Sequence, residues 1–175
     1  MKDLSLHILD ISDNSLRANS QNVSFTIIID DDGILSLTIK DDGKGMEPEM
    51  VKQVLNPFFS TRTNRKIGLG LPLLKQNAEK SGGSFNIESE LGKGTTVTAK
   101  FNTKNIDCIP LGDIAGVMTI IFTSNPTKNI EFEYKKAENQ FFLNTFALVN
   151  IFGDENLQDV WIQKELKQFI NNNIK

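Results

Sequence analysis

The hydrophobic positions of this chain change their spacing several times, and each spacing predicts one kind of element. Apolar residues recur at helical intervals over residues 4–18, which predicts an amphipathic helix. Strict alternation over residues 23–30 and 34–40 predicts two strands, and Asp32-Gly33 between them is typical of a hairpin turn. The chain therefore opens with a helix followed by an antiparallel pair of strands.

Similar patterns continue to the C-terminus. They predict helices over residues 47–55, 71–80 and 111–122, strands over residues 84–90 and 95–101, a hairpin that pairs residues 130–134 with 140–143, and one or two helices ending with residues 156–172. The last helix has a predicted amphipathic seam of Leu157, Val160, Trp161, Leu166, Phe169 and Ile170. Paired strands between helices favour an α+β fold, because a parallel doubly wound sheet needs a crossover after each strand.

A connector over residues 103–110 divides the predicted elements into two parts. We predict a domain over residues 1–103 and a C-terminal α+β extension over residues 104–175. The extension carries no catalytic pattern, so it is predicted to pack against the domain or to dock a partner.

Composition narrows the range of functions. A formal net charge of −3 over 175 residues argues against nucleic-acid binding. The longest apolar run, residues 117–122, is too short to cross a bilayer and no signal peptide is recognised, so a cytoplasmic protein without a membrane span is expected. His7 and Cys108 are the only histidine and cysteine, which excludes an internal disulfide and a zinc site built from these residue types.

The first helix carries a polar stripe. Asp10, Asn14 and Arg17 fall on one side of it at helical spacing, and His7 lies near the same stripe, at a polar face or a pocket edge. Such a stripe taken alone is usually a solvated face. Asparagine is a mediocre helix former, however, so Asn14 in the middle of a helix indicates a functional reason.

The run Asp41-Asp42-Gly43-Lys44-Gly45-Met46 follows the second strand directly. Its alternate glycines let a ligand come close to the backbone. A carboxylate at the mouth of this loop can accept a hydrogen bond from an amino group, such as that of a purine. The D-x-G-x-G pattern alone is also common in ordinary surface turns.

Two further glycine patterns follow. Gly68-Leu69-Gly70-Leu71 leads into a helix, and the free amides of a helix N-terminus suit phosphate. The preceding residues 56–67 have no clean period and are predicted to form a mobile basic loop. Gly92 and Gly94, between two strands, are by themselves most simply a hairpin turn.

In this order, the four patterns resemble the GHKL ATPase superfamily, which includes DNA gyrase, the MutL mismatch-repair proteins and the catalytic domain of bacterial histidine kinases. The resemblance covers roughly residues 4–101. The run N-P-F-F-S-T-R at residues 56–62 resembles the phenylalanine box of histidine kinases, and Gly82-Gly83 is also similar to that branch. The resemblance implies a two-layer α/β sandwich with a mixed, mostly antiparallel sheet, and ATP between helices and a lid.

The resemblance also implies roles at the phosphate end of ATP. Asn14 would ligate Mg²⁺ together with the phosphates and water, and Arg17 would contact phosphate. Asp10 lies where many relatives have a glutamate that activates water as general base. Arg62 would belong to the phenylalanine box that helps order the lid, and Arg65 and Lys66 would be interchangeable lid cations.

At the base end, the resemblance implies that Asp41 accepts the adenine amino group and that Gly45 lets the base approach. Thr95 would add a hydrogen bond near the same base, through water. The remaining nucleotide-binding positions implied are Gly43, Met46, Gly68, Leu69, Gly70 and Leu71.

The function implied is Mg-ATP binding with transfer or hydrolysis of the γ-phosphate, as a kinase or ATPase acting on a separate protein partner. The first helix begins almost at Met1, which leaves no room for a dimerising helical pair with a phosphoacceptor histidine, so a stand-alone domain is expected; a homodimer is a further option. The alternative is a nucleotide-sensing binding module without significant turnover, because Asp10 is shorter than glutamate. A purely structural protein would need all four patterns to coincide by accident.

Overall fold

The computed structural model describes residues 1–56, 70–154 and 156–174. Over these residues it contains, in chain order, α1 (Leu4–Arg17), β1 (Asn22–Ile29), β2 (Ile34–Asp41), α2 (Pro48–Val54), α3 (Gly70–Lys80), β3 (Ser84–Glu90), β4 (Gly94–Asn102), α4 (Ile114–Ser124), β5 (Asn129–Lys136), β6 (Asn139–Asn144), α5 (Thr145–Phe152) and α6 (Val160–Asn173). The helices and strands predicted from periodicity are confirmed, with ends that differ by a few residues.

The strands form a six-stranded sheet in the order β3-β4-β2-β1-β5-β6 over the described part of the chain. Only β1 and β5 run parallel among the neighbouring strands described, and the other pairs are antiparallel. The predicted α+β class with a mixed, mostly antiparallel sheet is therefore confirmed.

One face of the sheet is buried because apolar residues occupy every second position of its strands. In β1 these are Val23, Phe25 and Ile27, none of which exposes more than 2% of its surface. Helices α1, α3, α4 and α6 pack against this face. The opposite face carries polar residues such as Thr26 and Thr38, so the molecule has two layers.

The predicted C-terminal extension adds β5 and β6 to the same sheet. Strand β5 pairs with β1 over its whole length, from Asn22 opposite Asn129 to Ile29 opposite Lys136. Buried side chains of β5, including Phe132, belong to the same hydrophobic core as β1. The extension therefore packs into the sheet and the core of the preceding residues.

The predicted amphipathic seam of α6 is wrong at three positions. Val160, Trp161 and Phe169 are 83%, 59% and 51% exposed, whereas the buried side of the helix is formed by Ile162, Leu166 and Ile170. These three buried residues recur every four positions and so lie on one side of the helix, which packs against α4. Packing against α4 therefore decides which of the apolar residues of α6 are buried.

Within the three described ranges, no helix combines the length and the apolar character needed to cross a membrane.

Candidate functional site

Asp41 ends β2 on the helix-covered side of the sheet, where it continues the buried row of Leu37 and Ile39. Its side chain is only 7% exposed, and both carboxylate oxygens accept hydrogen bonds. The Ser15 hydroxyl donates to Oδ2 over 2.6 Å, and the Gly43 amide donates to Oδ1 over 2.9 Å. Each oxygen keeps a lone pair, so Asp41 can still accept from a donor group of a ligand.

Thr95 lies directly opposite Asp41 on the neighbouring strand β4. Its hydroxyl is 2.8 Å from the hydroxyl of Ser89, which itself donates to the Gly94 carbonyl over 2.9 Å. In the bond between the two hydroxyls either oxygen can be the donor. The Thr95 hydroxyl can therefore act as a donor or as an acceptor toward a ligand beside Asp41.

The D-x-G-x-G loop packs backbone to backbone against the turn between β3 and β4. The Gly92 amide donates to the Lys44 carbonyl over 2.7 Å. A Cβ on Gly45 would lie 1.9 Å from the Glu90 carbonyl oxygen, and Gly45 has φ +65°, so no other residue fits without rearrangement. The two glycine patterns thus form one structural unit around Asp41. That Gly45 also lets a base approach stays a prediction.

Two pockets lie at opposite ends of the sheet. One, of about 270 Å³, is lined by residues from both faces of the sheet end, among them Asp41, Ser89 and Thr95. The other, of about 230 Å³, is mainly apolar, and its wall includes Leu4 and Cys108. Two of the predicted base-contacting residues, Asp41 and Thr95, line the first pocket, and none of the predicted site residues lines the second.

The polar stripe of α1 is only partly solvated. Asp10 and Asn14 are half-buried, one helical turn apart on the same side. A Cβ on Gly70 would lie 1.9 Å from Oδ2 of Asp10, so the Asp10 carboxylate packs against the first residue of α3. Arg17 is exposed and forms an ion pair with Asp13 at 3.8 Å.

His7 is fully buried, which corrects its assignment to a polar face or a pocket edge. Helix α3 covers this side of α1, and Nε2 of His7 is hydrogen-bonded to Asn77 of α3 at 2.9 Å. Burial lowers the pKa of His7 to about 4, and the positive N-terminus contributes in the same direction. The Gly70 backbone and the carboxylates of Asp10 and Asp3 oppose this shift without cancelling it. His7 therefore links α1 to α3 as a neutral imidazole at neutral pH.

Asp42, next to Asp41 in sequence, is exposed and forms hydrogen bonds with the loop between α1 and β1. It accepts hydrogen bonds from the Gln21 amide at 2.8 Å, the Asn22 amide at 2.9 Å and the Asn22 side chain at 2.6 Å. Partial burial alone would raise the pKa of Asp42, but these hydrogen bonds hold it below its usual value. Asp42 is thus a structural carboxylate of the site.

The structure brings the predicted residues together in two groups. Asp41 contacts Gly43 and lies opposite Thr95, and Asp10 contacts Gly70. Met46 is half-buried in the loop before α2, and Leu71 is half-buried in the first turn of α3. Five predicted positions lie outside the described residues: Arg62, Arg65, Lys66, Gly68 and Leu69.

Sequence reasoning missed two hydroxyl residues. Ser15 falls on the apolar side of α1 and Ser89 lies in β3, and no motif in the sequence marks either residue. The available signal was a small polar residue within an otherwise apolar row, because a buried hydroxyl requires a hydrogen-bond partner.

The oxygen ligands on α1 suit the predicted magnesium ion. Mg²⁺ keeps several waters and is usually held by one or two protein oxygens plus substrate phosphates. The Asn14 side chain offers one such oxygen, on the helix that also carries Asp10. The side chains present therefore fit a magnesium ion that arrives with a nucleotide.

Residues 2–105 match the family described as histidine kinase-, DNA gyrase B- and HSP90-like ATPase. Sensor protein SrrB of Staphylococcus aureus is 45% identical over 69 residues, which is 37% of this chain and 12% of SrrB. The aligned part of this chain therefore covers only a small part of that curated relative, 12% of its length.

Two solved structures align with parts of this chain. The N-terminal domain of a DNA repair protein aligns with 82% of this chain and 53% of its own, with a TM-score of 0.59 and 14% identity. The mycobacterial sensor histidine kinase MprB aligns with 54% of this chain and 66% of its own, with a TM-score of 0.41 and 26% identity. The first likeness extends into the residues beyond the family match and concerns the fold alone.

Proposed function

Since this chain belongs to the family of histidine kinase-, DNA gyrase B- and HSP90-like ATPases and so carries an ATP-binding domain over residues 2–105, we propose that it binds Mg-ATP and passes on the γ-phosphoryl group. The group goes to water, or to an acceptor side chain of a separate protein partner, and ADP is left. The acceptor would be a histidine on a helical partner or a serine. We propose that the protein acts in the cytoplasm as a signalling kinase or ATPase.

The hydrogen bonding of Asp41 supports the proposal most strongly. Its carboxylate is buried, receives donors from Ser15 and Gly43, and retains lone pairs at the sheet end. An exocyclic amino group is a donor and complements these lone pairs, as the 6-amino group of adenine would. This arrangement suits adenine.

The phosphate end is proposed to lie between α1 and the start of α3. Asn14 would contribute a magnesium ligand, Arg17 a cation, and Gly70 and Leu71 amides at a helix N-terminus. Bound magnesium would neutralise charge on the transferring phosphoryl group. Asp10, held against Gly70, would orient and deprotonate the attacking nucleophile.

Calorimetric titration of Mg-ATP into wild type, Asn14→Ala and Asp41→Asn tests the binding residues. We expect Asn14→Ala to lose Mg-ATP affinity, because the substitution removes the oxygen proposed as a magnesium ligand. Asn86→Ala is the matched control, since Asn86 is exposed on β3, away from the proposed site, and its side chain donates to Glu88. Equal affinities of Asn14→Ala and Asn86→Ala would refute the metal assignment.

A second assay separates turnover from binding. Wild type and Asn14→Ala are incubated with γ-labelled ATP, and the release of free phosphate and the labelling of protein are measured in the same reaction. Free phosphate that depends on Asn14 supports an ATPase, and label on protein supports a kinase.

A nucleotide sensor without significant turnover is the second candidate function. Strand β5, which lies beyond the family match, pairs with β1, and this pairing begins with Asn129 opposite Asn22. Asn22 in turn binds Asp42 of the D-x-G-x-G loop, and this connection favours a sensor. Under this hypothesis ATP binds and neither labelled product forms. Asp10→Asn discriminates further, since turnover that persists unchanged in this variant excludes Asp10 as the base.

A further inference from the structure

The residues beyond the family match hold the loop between α1 and β1. The Lys128 ammonium, just before β5, donates to the Ser20 carbonyl of this loop. The Asn129 amide donates to the Gln21 carbonyl over 2.9 Å. A corner of the C-terminal part is thus attached to the segment that follows α1.

The same loop is attached, on its other side, to the predicted adenine acceptor. The Ser20 hydroxyl donates to the Ser15 carbonyl over 2.5 Å, and the Ser15 hydroxyl donates to Asp41 over 2.6 Å. Lys128, Ser20, Ser15 and Asp41 therefore form one continuous line of contacts, in which the last three side chains are buried.

A second line runs beside the first. The Asn129 side chain donates to Oδ1 of Asn22 over 3.0 Å, and the Asn22 side chain donates to Asp42 over 2.6 Å. Asp42 is the neighbour of Asp41, so the two lines end at adjacent residues of the D-x-G-x-G loop. The loop between α1 and β1 is consequently held between this loop and the start of β5.

We propose that Lys128 is a positioning residue for recognition of the nucleotide base, acting through Ser20 and Ser15 on the Asp41 carboxylate. The proposal rests on the proposed function, because it concerns the same binding site. It assigns a role to the C-terminal residues, which lie outside the part of the chain that matches the family.

The charge of Lys128 is suited to this place. Ser20 follows the C-terminal end of α1, where the helix dipole is negative and favours a cation nearby. An ammonium donor forms a stronger bond to such a carbonyl than a neutral group does. Its loss would remove one of the bonds that hold the loop while leaving the strand pairing of β5 intact.

The test measures base discrimination in the full chain. Dissociation constants for Mg-ATP and Mg-ITP, whose bases carry an amino and an oxo group at the same ring position, are determined by competition with a fluorescent ATP analogue. We expect Lys128→Met to weaken Mg-ATP binding about 5- to 10-fold, as for loss of one hydrogen bond, and to change Mg-ITP binding little. The ratio of the two constants then falls by a similar factor.

Matched variants make the result specific. Lys136→Met removes an exposed lysine from the other end of β5 and should leave both constants unchanged. Lys128→Arg should restore the ratio, and Lys128→Gln, which keeps a neutral donor, should give an intermediate value. The glutamine variant carries the comparison if the methionine variant does not fold.

Two results would overturn the role of Lys128 while leaving ATP binding in place. One is an unchanged ratio in the Lys128 variants; the other is an equal loss for both nucleotides, which indicates general destabilisation. Absence of Mg-ATP binding in the wild type would instead refute the proposed function itself, before any variant is compared.

Discussion

Replacing Ser15 with alanine tests whether the hydrogen bond from its hydroxyl to Asp41 stabilises the fold and orients Asp41 for the nucleotide base. Ser15 is 3% exposed and Asp41 7%, so water has little access to the oxygen that loses its donor. The variant keeps the Cβ and removes only one oxygen. The backbone bond from Ser20 to the Ser15 carbonyl is unaffected.

The size of the effect follows from two opposing terms. A hydrogen bond to a charged group contributes about 1.5–3 kcal/mol to the free energy of unfolding. Alanine is a better helix former than serine by roughly 0.5 kcal/mol, which offsets part of the loss. We therefore expect a net destabilisation of about 1–2.5 kcal/mol, or a fall in Tm of roughly 3–8 °C for a chain of this size.

Ser12→Ala provides a matched control on the same helix. Ser12 is 2% exposed, but its hydroxyl donates only to the Leu9 carbonyl, within the helix. Its removal should change the free energy of unfolding by less than about 0.5 kcal/mol, because that carbonyl keeps its helical partner.

Urea unfolding of both variants, with and without saturating Mg-ATP, provides the measurement. Stabilisation by the nucleotide should be smaller in Ser15→Ala than in Ser12→Ala, because Asp41 is less firmly oriented for the base. Equal destabilisation by the two substitutions would refute the reasoning. Equal stabilisation by Mg-ATP would refute the role of Ser15 in binding.

Two further predictions concern α1. The folded pKa of His7 is about 4 against 6.5 in the unfolded chain, so the unfolded state binds more protons between these values and stability falls as pH falls through this window. The free energy of unfolding, measured with urea, should fall by up to about 3 kcal/mol across this window in the wild type and should not show this fall in His7→Gln. Parallel curves of stability against pH for the two proteins would contradict this prediction. Gly70→Ala places a methyl group where Oδ2 of Asp10 lies, so the carboxylate must turn away. We expect stability within about 1 kcal/mol of wild type, since alanine favours the helix, but reduced phosphate release; undiminished release would contradict the placement of Asp10.

Much of the fold was predictable because periodicity is a local property. Alternation in β1 and β2 identified which side chains face the helices, and the same alternation places Asp41 on the buried side. The glycine patterns marked the loops around the site, because close backbone contacts such as Gly45 against Glu90 exclude larger residues.

Contacts between distant residues were not predictable in this way. Periodicity indicated that His7 lies near a polar stripe, but only the position of α3 decides that it is buried. The parallel pairing of β5 with β1, and the exposure of Trp161, depend likewise on how elements pack.

The sequence by itself determined the elements and most of their buried faces, since these follow from spacing within a few residues, and its motifs predicted a nucleotide site through their resemblance to the GHKL superfamily. The tertiary structure alone decided which groups meet. Ser15 and Asp41 are 26 positions apart, and Ser20 and Lys128 are 108 positions apart. No local pattern encodes such pairs, because each depends on packing of the whole chain around one core.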